Sequence, residues 1–204
     1  MSTPIPYVDL ALQHQTFKED LLRAVAGVLE TGQFILGEET ALFEKEFARL
    51  CQTRFAVGVN SGTDALVLAL KALGIGPGDE VITAPNSYLA SASCIALAGA
   101  TPRFADVRDD LNIDPEQVAR AITPKPKAII PVHLTGKPAR MRELTELADA
   151  RGLHVIEDAA QAVGARLDGK PVGSLSQIGC FSLHPLKNLN ACGDAGILTT
   201  NDEA

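Results

Sequence analysis

Hydrophobic positions in the first fifty residues recur at helical spacing. Phe17, Leu21, Leu22, Val25 and Val28 share one helical face, and Leu42, Phe43, Glu46 and Phe47 predict a second helix after Gly37. From Arg54 the rhythm changes to short, often β-branched runs separated by helical stretches. Strands are expected at 55–59, 80–84, 103–106, 128–132, 154–157, 178–182 and 196–200. Helices are expected between the first five of these, at 64–73, 89–98, 115–121 and 139–150. The runs VITAP and AIIPV scarcely alternate polar with apolar, as in strands buried on both faces. GIGPGDE, TPKPK and ARGLH supply the breaks. This pattern predicts an α/β fold, a mostly parallel sheet with helices on both faces. Neither repeat, low-complexity segment nor linker interrupts it, so one domain is expected. TTNDEA follows directly on the last strand without a closing helix or polar tail, so the sequence reads as a portion of a longer one.

Composition narrows the class. A chain of 204 residues suffices for one substantial core. With 4% aromatics and no Trp, that core must rest on Ala, Val, Leu and Ile. Eighteen basic residues against 25 acidic ones give a net charge of −7. That balance argues against a nucleic-acid or acidic-membrane surface, while leaving room for a small anion in a local pocket. Residues 1–12 mix Pro, Asp and Gln without an apolar run, so no secretory signal is expected. No apolar stretch approaches ~18 residues, so no membrane span is expected either. Cys51, Cys94, Cys180 and Cys192 form no CxxC pair and have no His at zinc spacing. The expectation is reduced thiols in a cytoplasmic protein, with no metal site.

Three stations at the carboxyl ends of strands carry candidate chemistry, since open α/β sheets bind ligands there. Asn60-Ser61-Gly62-Thr63-Asp64 opens a helix directly after a strand. Gly62 lets backbone approach a ligand and the free N–H groups favour phosphate, although taken alone the stretch reads first as Ser61 capping a helix. Glu157-Asp158-Ala159-Ala160-Gln161 follows the fifth strand. A carboxylate there suits a protonated pyridine nitrogen, and Gln161 could turn its amide to the same ring; a polar capping loop is the alternative. In the third, FSLHPLKNL, Lys187 stands among apolar neighbours, where desolvation favours a nucleophilic amine. Ser182 could bond a phosphate, and Pro185 fixes the backbone between them. An ordinary surface lysine is the competing reading, weakened because Asp158 and Lys187 lie at the ends of consecutive strands.

Taken in order, SGTDAL, EDAAQAVGA and FSLHPLKNL make the chain resemble the DegT-type (DegT/DnrJ) sugar aminotransferases, among the fold-type-I pyridoxal-phosphate enzymes. FILGEETALFEKEFA, PVHLTGKPARM and GDAG fit the same pattern, and the resemblance runs from about Phe34 to the last residue. It implies that residues 1–204 are the cofactor-binding large domain, incomplete and without the family's smaller C-terminal domain, with 1–53 as an N-terminal helical segment. It implies that Lys187 carries pyridoxal 5′-phosphate covalently and shuttles a proton. By the same resemblance Asp158 pairs with the ring nitrogen, and Gln161 lies beside the ring's phenolic oxygen. Gly62, Thr63 and Ser182 then hold the phosphate, and Tyr88 stacks on the cofactor face, where a core tyrosine is the alternative. His184 is expected next to the cofactor or facing substrate, and His133 to be structural.

The implied reaction moves an amino group from an amino acid, glutamate first, to the keto group of a nucleotide-linked sugar, with ping-pong kinetics and a homodimeric full-length protein. In some relatives a histidine replaces the lysine and the enzyme becomes a dehydratase; Lys187 favours transamination. A fragment that folds and binds cofactor without catalysis is the remaining alternative, and 1–204 alone is expected not to turn over. Two positions depart from the family's habit: Arg140, where an acid is common, and Ala195, where Gly is common.

Overall fold

Alternate residues along the central strands separate into cores on the two faces of the sheet. The structure is a computed structural model that describes residues 5–203. Contacts divide the chain into two units, with the boundary between Phe43 and Glu44. The first unit holds helices α1 (Leu10–His14) and α2 (Lys18–Thr31) and the start of α3 (Glu38–Cys51). The expected apolar stripe does form a helix in α2, but none of its residues is buried; Leu22, Val25 and Leu29 remain exposed.

In the second unit the strands and helices follow in order. They are β1 (Phe55–Val59), α4 (Gly62–Ala72), β2 (Glu80–Thr83), α5 (Ala90–Leu97), β3 (Thr101–Phe104), α6 (Pro115–Ala121), β4 (Pro126–Ile130), α7 (Met141–Asp149), β5 (His154–Asp158), β6 (Arg166–Leu167), β7 (Lys170–Pro171), β8 (Ile178–Ser182) and β9 (Gly196–Thr200). Seven strands form one sheet in the order β1-β9-β8-β5-β4-β2-β3, and β6 and β7 make a separate hairpin. Every pairing from β3 to β8 is parallel, while β9 runs antiparallel to both β8 and β1. The mostly parallel α/β sheet expected from the sequence is therefore present.

Val81, Ala128, Ile130, Ile156 and Cys180 face α4 and α5, whose Leu66, Leu70 and Ile95 are buried against them. Their strand neighbours Ile82, Ile129 and Val155 face Val118 of α6 and Met141, Leu144 and Ala148 of α7. Phe181 and Ile197 turn to a third cluster with Phe47 and Cys51 of α3, where the Phe47 and Phe181 rings meet edge-on at 5.0 Å. With both faces covered, the carboxyl ends of the parallel strands form a rim where the loops after several strands converge.

Candidate active site

β1 delivers its chain to that rim through Ser61, whose hydroxyl caps α4 by accepting the Asp64 N–H at 3.0 Å. Ser61's carbonyl takes the Ala65 N–H, so within this turn the Gly62 and Thr63 N–H groups are left to face a ligand. Gly62 must be glycine for a packing reason: a Cβ there would lie 2.6 Å from Ser182 Cβ, at the end of β8. Gly196, opening β9, is under the same constraint, because a Cβ there would overlap the Ser61 carbonyl. Ala195 beside it is not at positive φ, so its methyl adds no backbone strain. Two glycines thus let the chain after β1, the end of β8 and the start of β9 approach closely.

Neighbouring acids on β5 part company. Glu157 is fully buried and turned from the rim, accepting from His133 Nε2, the Gly173, Leu175 and Ser176 N–H groups and the Ser176 hydroxyl, at 2.8–3.1 Å. His133 Nδ1 accepts the Ala139 N–H at 3.0 Å, so the imidazole proton sits on Nε2 and is donated to Glu157. Asp158 points the other way, into a cavity of about 560 Å³. Its Oδ2 accepts from Ser91 at 2.7 Å and its Oδ1 from the Ala160 N–H at 3.2 Å. Burial pushes this carboxyl above its ordinary value; hydrogen bonds from Ser91 and Ala160, and the nearby His133 and Lys187, oppose that rise.

Past Ser182 the chain turns sharply. The Ser182 hydroxyl accepts the His184 N–H at 3.3 Å, His184 Nδ1 accepts the Leu186 N–H at 3.2 Å, and the His184 carbonyl takes the Lys187 N–H at 2.8 Å. This turn leaves Lys187 half-buried at the cavity wall. Gln161 Oε1 accepts the Thr135 N–H at 2.7 Å, which leaves the amide's NH2 as its free donor.

Every site residue singled out from the sequence lines this one cavity: Gly62, Thr63, Tyr88, Asp158, Gln161, Ser182, His184 and Lys187. Tyr88 stands at its mouth, 73% exposed. Arg140 does not line it; it stands at the N-cap position of α7 without a side-chain capping bond and pairs with Glu143 at 3.2 Å. Sequence reading missed Ser87 and Asp194, which also line the cavity, and Ser91, buried behind it. No spacing signal ties Ser91 to Asp158, because only sheet order brings the start of α5 to the end of β5. No helix among the described residues is long and apolar enough to cross a membrane.

The family model described as the DegT/DnrJ/EryC1/StrS aminotransferase family matches residues 15–204. The chain is 48% identical over 199 residues to the dTDP-3-amino-3,4,6-trideoxy-alpha-D-glucose transaminase of Streptomyces venezuelae, covering 97% of this chain and 52% of that protein. It is 47% identical to the UDP-N-acetyl-3-dehydro-alpha-D-glucosamine 3-aminotransferase of Acidithiobacillus ferrooxidans, covering 98% and 55%. Among solved structures it superposes on S. venezuelae DesV in complex with a ketimine intermediate, at TM-score 0.96 and 47% identity, over 99% of this chain and 55% of that one. NtdA from Bacillus subtilis with bound cofactor PMP matches at TM-score 0.93 and 36% identity, over 100% and 46%. The chain spans about half the length of these relatives.

Proposed function

We propose that this protein, which belongs to the DegT/DnrJ/EryC1/StrS aminotransferase family, moves an amino group from an amino acid such as glutamate to the keto group of a nucleotide-linked sugar, using pyridoxal 5′-phosphate. The observation that carries this reading is that one cavity gathers an amine, Lys187, a buried carboxylate, Asp158, and the open start of α4. The two relatives named for dTDP- and UDP-linked amino sugars support the substrate class.

The residues fit the cofactor. Gly62 has no side chain to fill the space beside Ser182, so N–H groups and a hydroxyl converge where a phosphate needs donors. Asp158 places an anion at the cavity wall, as a protonated ring nitrogen requires. When bound, pyridoxal phosphate supplies an electron sink for the carbon bearing the transferred amine.

This chain's residues bind and orient around that sink. Gly62, Thr63 and Ser182 hold the phosphate, and Asp158 keeps the proton on the ring nitrogen. Gln161, its carbonyl anchored by Thr135, directs its NH2 to the ring's oxygen. Tyr88 would cover the ring, Lys187 Nζ would anchor the cofactor and carry a proton, and His184 would face the substrate. Residues 1–204 are on this reading the cofactor-binding part of a longer enzyme. Exposed Leu22, Val25, Leu29, Phe34, Ile35 and Leu36 support assembly with a second copy as a homodimer. The buried free thiols Cys51, Cys94 and Cys180 support a reducing, cytoplasmic setting.

The test is reconstitution of the full-length protein with pyridoxal phosphate, borohydride reduction and peptide mapping. The pyridoxyl group is expected on Lys187; finding it on Lys170, or nowhere, would sink the reading. Conversion of the bound cofactor by glutamate alone separates a transaminase from a dehydratase or a non-catalytic binder. Product masses from keto-sugar nucleotides then identify the acceptor.

A further inference from the structure

Behind the cavity wall runs a polar connection that the reading above does not use. Ser91, in the first turn of α5, is 1% exposed. Its Oγ lies 2.7 Å from Asp158 Oδ2 and 3.0 Å from the hydroxyl of Ser87, which lines the cavity. A hydroxyl has one proton to donate, and an ionised carboxylate only accepts. Ser91 therefore spends its proton on Asp158, and the bond between the serines is donated by Ser87. The order Ser87 to Ser91 to Asp158 is fixed as long as Asp158 is charged, and a proton taken up on Oδ2 would reverse it.

This matters because Asp158 is almost wholly removed from water, which favours its neutral form. The groups around it are Lys187 from the loop after β8, His133 from the loop after β4, Cys94 on α5, Cys180 on β8 and Glu157 beside it on β5. Glu157 is engaged by its own five donors, and the thiols, held neutral by burial, offer no positive charge. Ser91 is the one side-chain hydrogen-bond donor on the Asp158 carboxylate among the described residues.

We propose that Ser91 is a positioning residue of the site, which through the Ser87–Ser91–Asp158 chain aims the Asp158 carboxylate and holds it as the anion that receives the cofactor's ring nitrogen. The inference rests on the reading of Asp158 as the ring's partner. Removing the donor lets Asp158 take a proton at higher pH, so cofactor binding should fail earlier on the acid side. Above that range the carboxylate is ionised with or without Ser91, and binding should recover.

The experiment measures the dissociation constant of pyridoxamine phosphate for the cofactor-free full-length protein from acid to alkaline pH. Ser91→Ala should move the acid limb of affinity up by about one pH unit, about tenfold weaker binding on that limb, with near-parental binding above it. Ser91→Thr, which keeps the hydroxyl, should restore the parent's profile, and Ser87→Ala should shift it the same way by less. An Ser91→Ala profile that superimposes on the parent's would overturn the proposal. So would binding weakened equally at every pH and not restored by Thr, since that marks packing alone. If the parent binds with no acid limb, or Asp158→Asn keeps the parent's profile, the ring-partner reading falls and this inference with it.

Discussion

Gly62 and Ser182 lie so close that a methyl on Gly62 would stand 2.6 Å from Ser182 Cβ and 3.0 Å from its Cα. The contact ties the start of α4 to the end of β8, the two stations at which the sequence put phosphate donors. Gly62→Ala must push these segments apart, because the obstructing atoms include backbone. A loss of about 1–3 kcal/mol in stability is expected, as for other insertions into a packed site. Weaker pyridoxal phosphate binding should accompany it, measured by urea melts and titration. Parental values for both would mean that this space is looser than the geometry requires.

Asp158→Asn should change both the activity and the pH dependence of stability. An amide cannot keep the ring nitrogen protonated, and losing one such electrostatic contact costs about 2.7–4 kcal/mol in the transition state, roughly a hundred- to a thousandfold in rate. Stability follows from linkage. Burial raises the Asp158 pKa from its ordinary 3.8, so the folded state holds its proton more tightly than the unfolded chain. The stability this contributes is complete below 3.8 and lost as pH climbs through the raised folded value. The cofactor-free parent should therefore gain stability toward acid from this residue, and Asp158→Asn should lack that gain. Melting curves across pH on cofactor-free protein would show it, and identical pH dependence in both proteins would contradict it.

How far the sequence could be read depended on whether the deciding force was local. β1, β8 and β9 fall where the apolar runs predict them, but β3 lies at Thr101–Phe104 rather than 103–106. Pro102 lies inside the observed strand. β3 is an edge strand bonded to β2 alone, so Pro102 can sit in it without breaking a ladder on its outer side. The β6–β7 hairpin was missed although its signal was present. Asp168 and Gly169 join Leu167 to Lys170 with φ of 51° and 80°, the two-residue turn that Asp-Gly favours. Glu157 and Asp158 were visible as a pair of acids, but which one faces the ligand follows from strand alternation and from the loops at each side. Ser91 could not be read at all, since its partner lies 67 positions away and only the fold joins them.

Thiol chemistry should divide the cysteines by burial. Burial pushes the Cys51 and Cys94 thiols up to about 12 and Cys180 well above its ordinary value, so none is a thiolate near neutral pH. Cys192 is exposed. Iodoacetamide at neutral pH should label Cys192 in the native protein and leave the other three until denaturant is added. Native labelling of Cys94 or Cys180, read by peptide mass, would mean that the core beneath the site opens readily.

Glu157 offers a test of which β5 acid belongs to the fold and which to the chemistry. Its Oε1 accepts from the Leu175 and Ser176 N–H groups and the Ser176 hydroxyl, and its Oε2 from the Gly173 N–H and His133 Nε2–H. Glu157→Gln keeps shape and volume but turns one of these oxygens into an NH2. Placed at the Oε2 position, that NH2 meets two donors, and His133 cannot yield by moving its proton. Its Nδ1 already accepts the Ala139 N–H, so shifting the proton there would strand another buried donor. Each buried group left unpaired costs about 1–3 kcal/mol. Glu157→Gln is therefore expected to lose about 2 kcal/mol or more, measured by denaturant unfolding with cofactor absent. Below its melting point the variant should still bind pyridoxal phosphate through Lys187, because Glu157 does not line the cavity. A variant that kept its stability but could not bind the cofactor would exchange the roles assigned to these two acids.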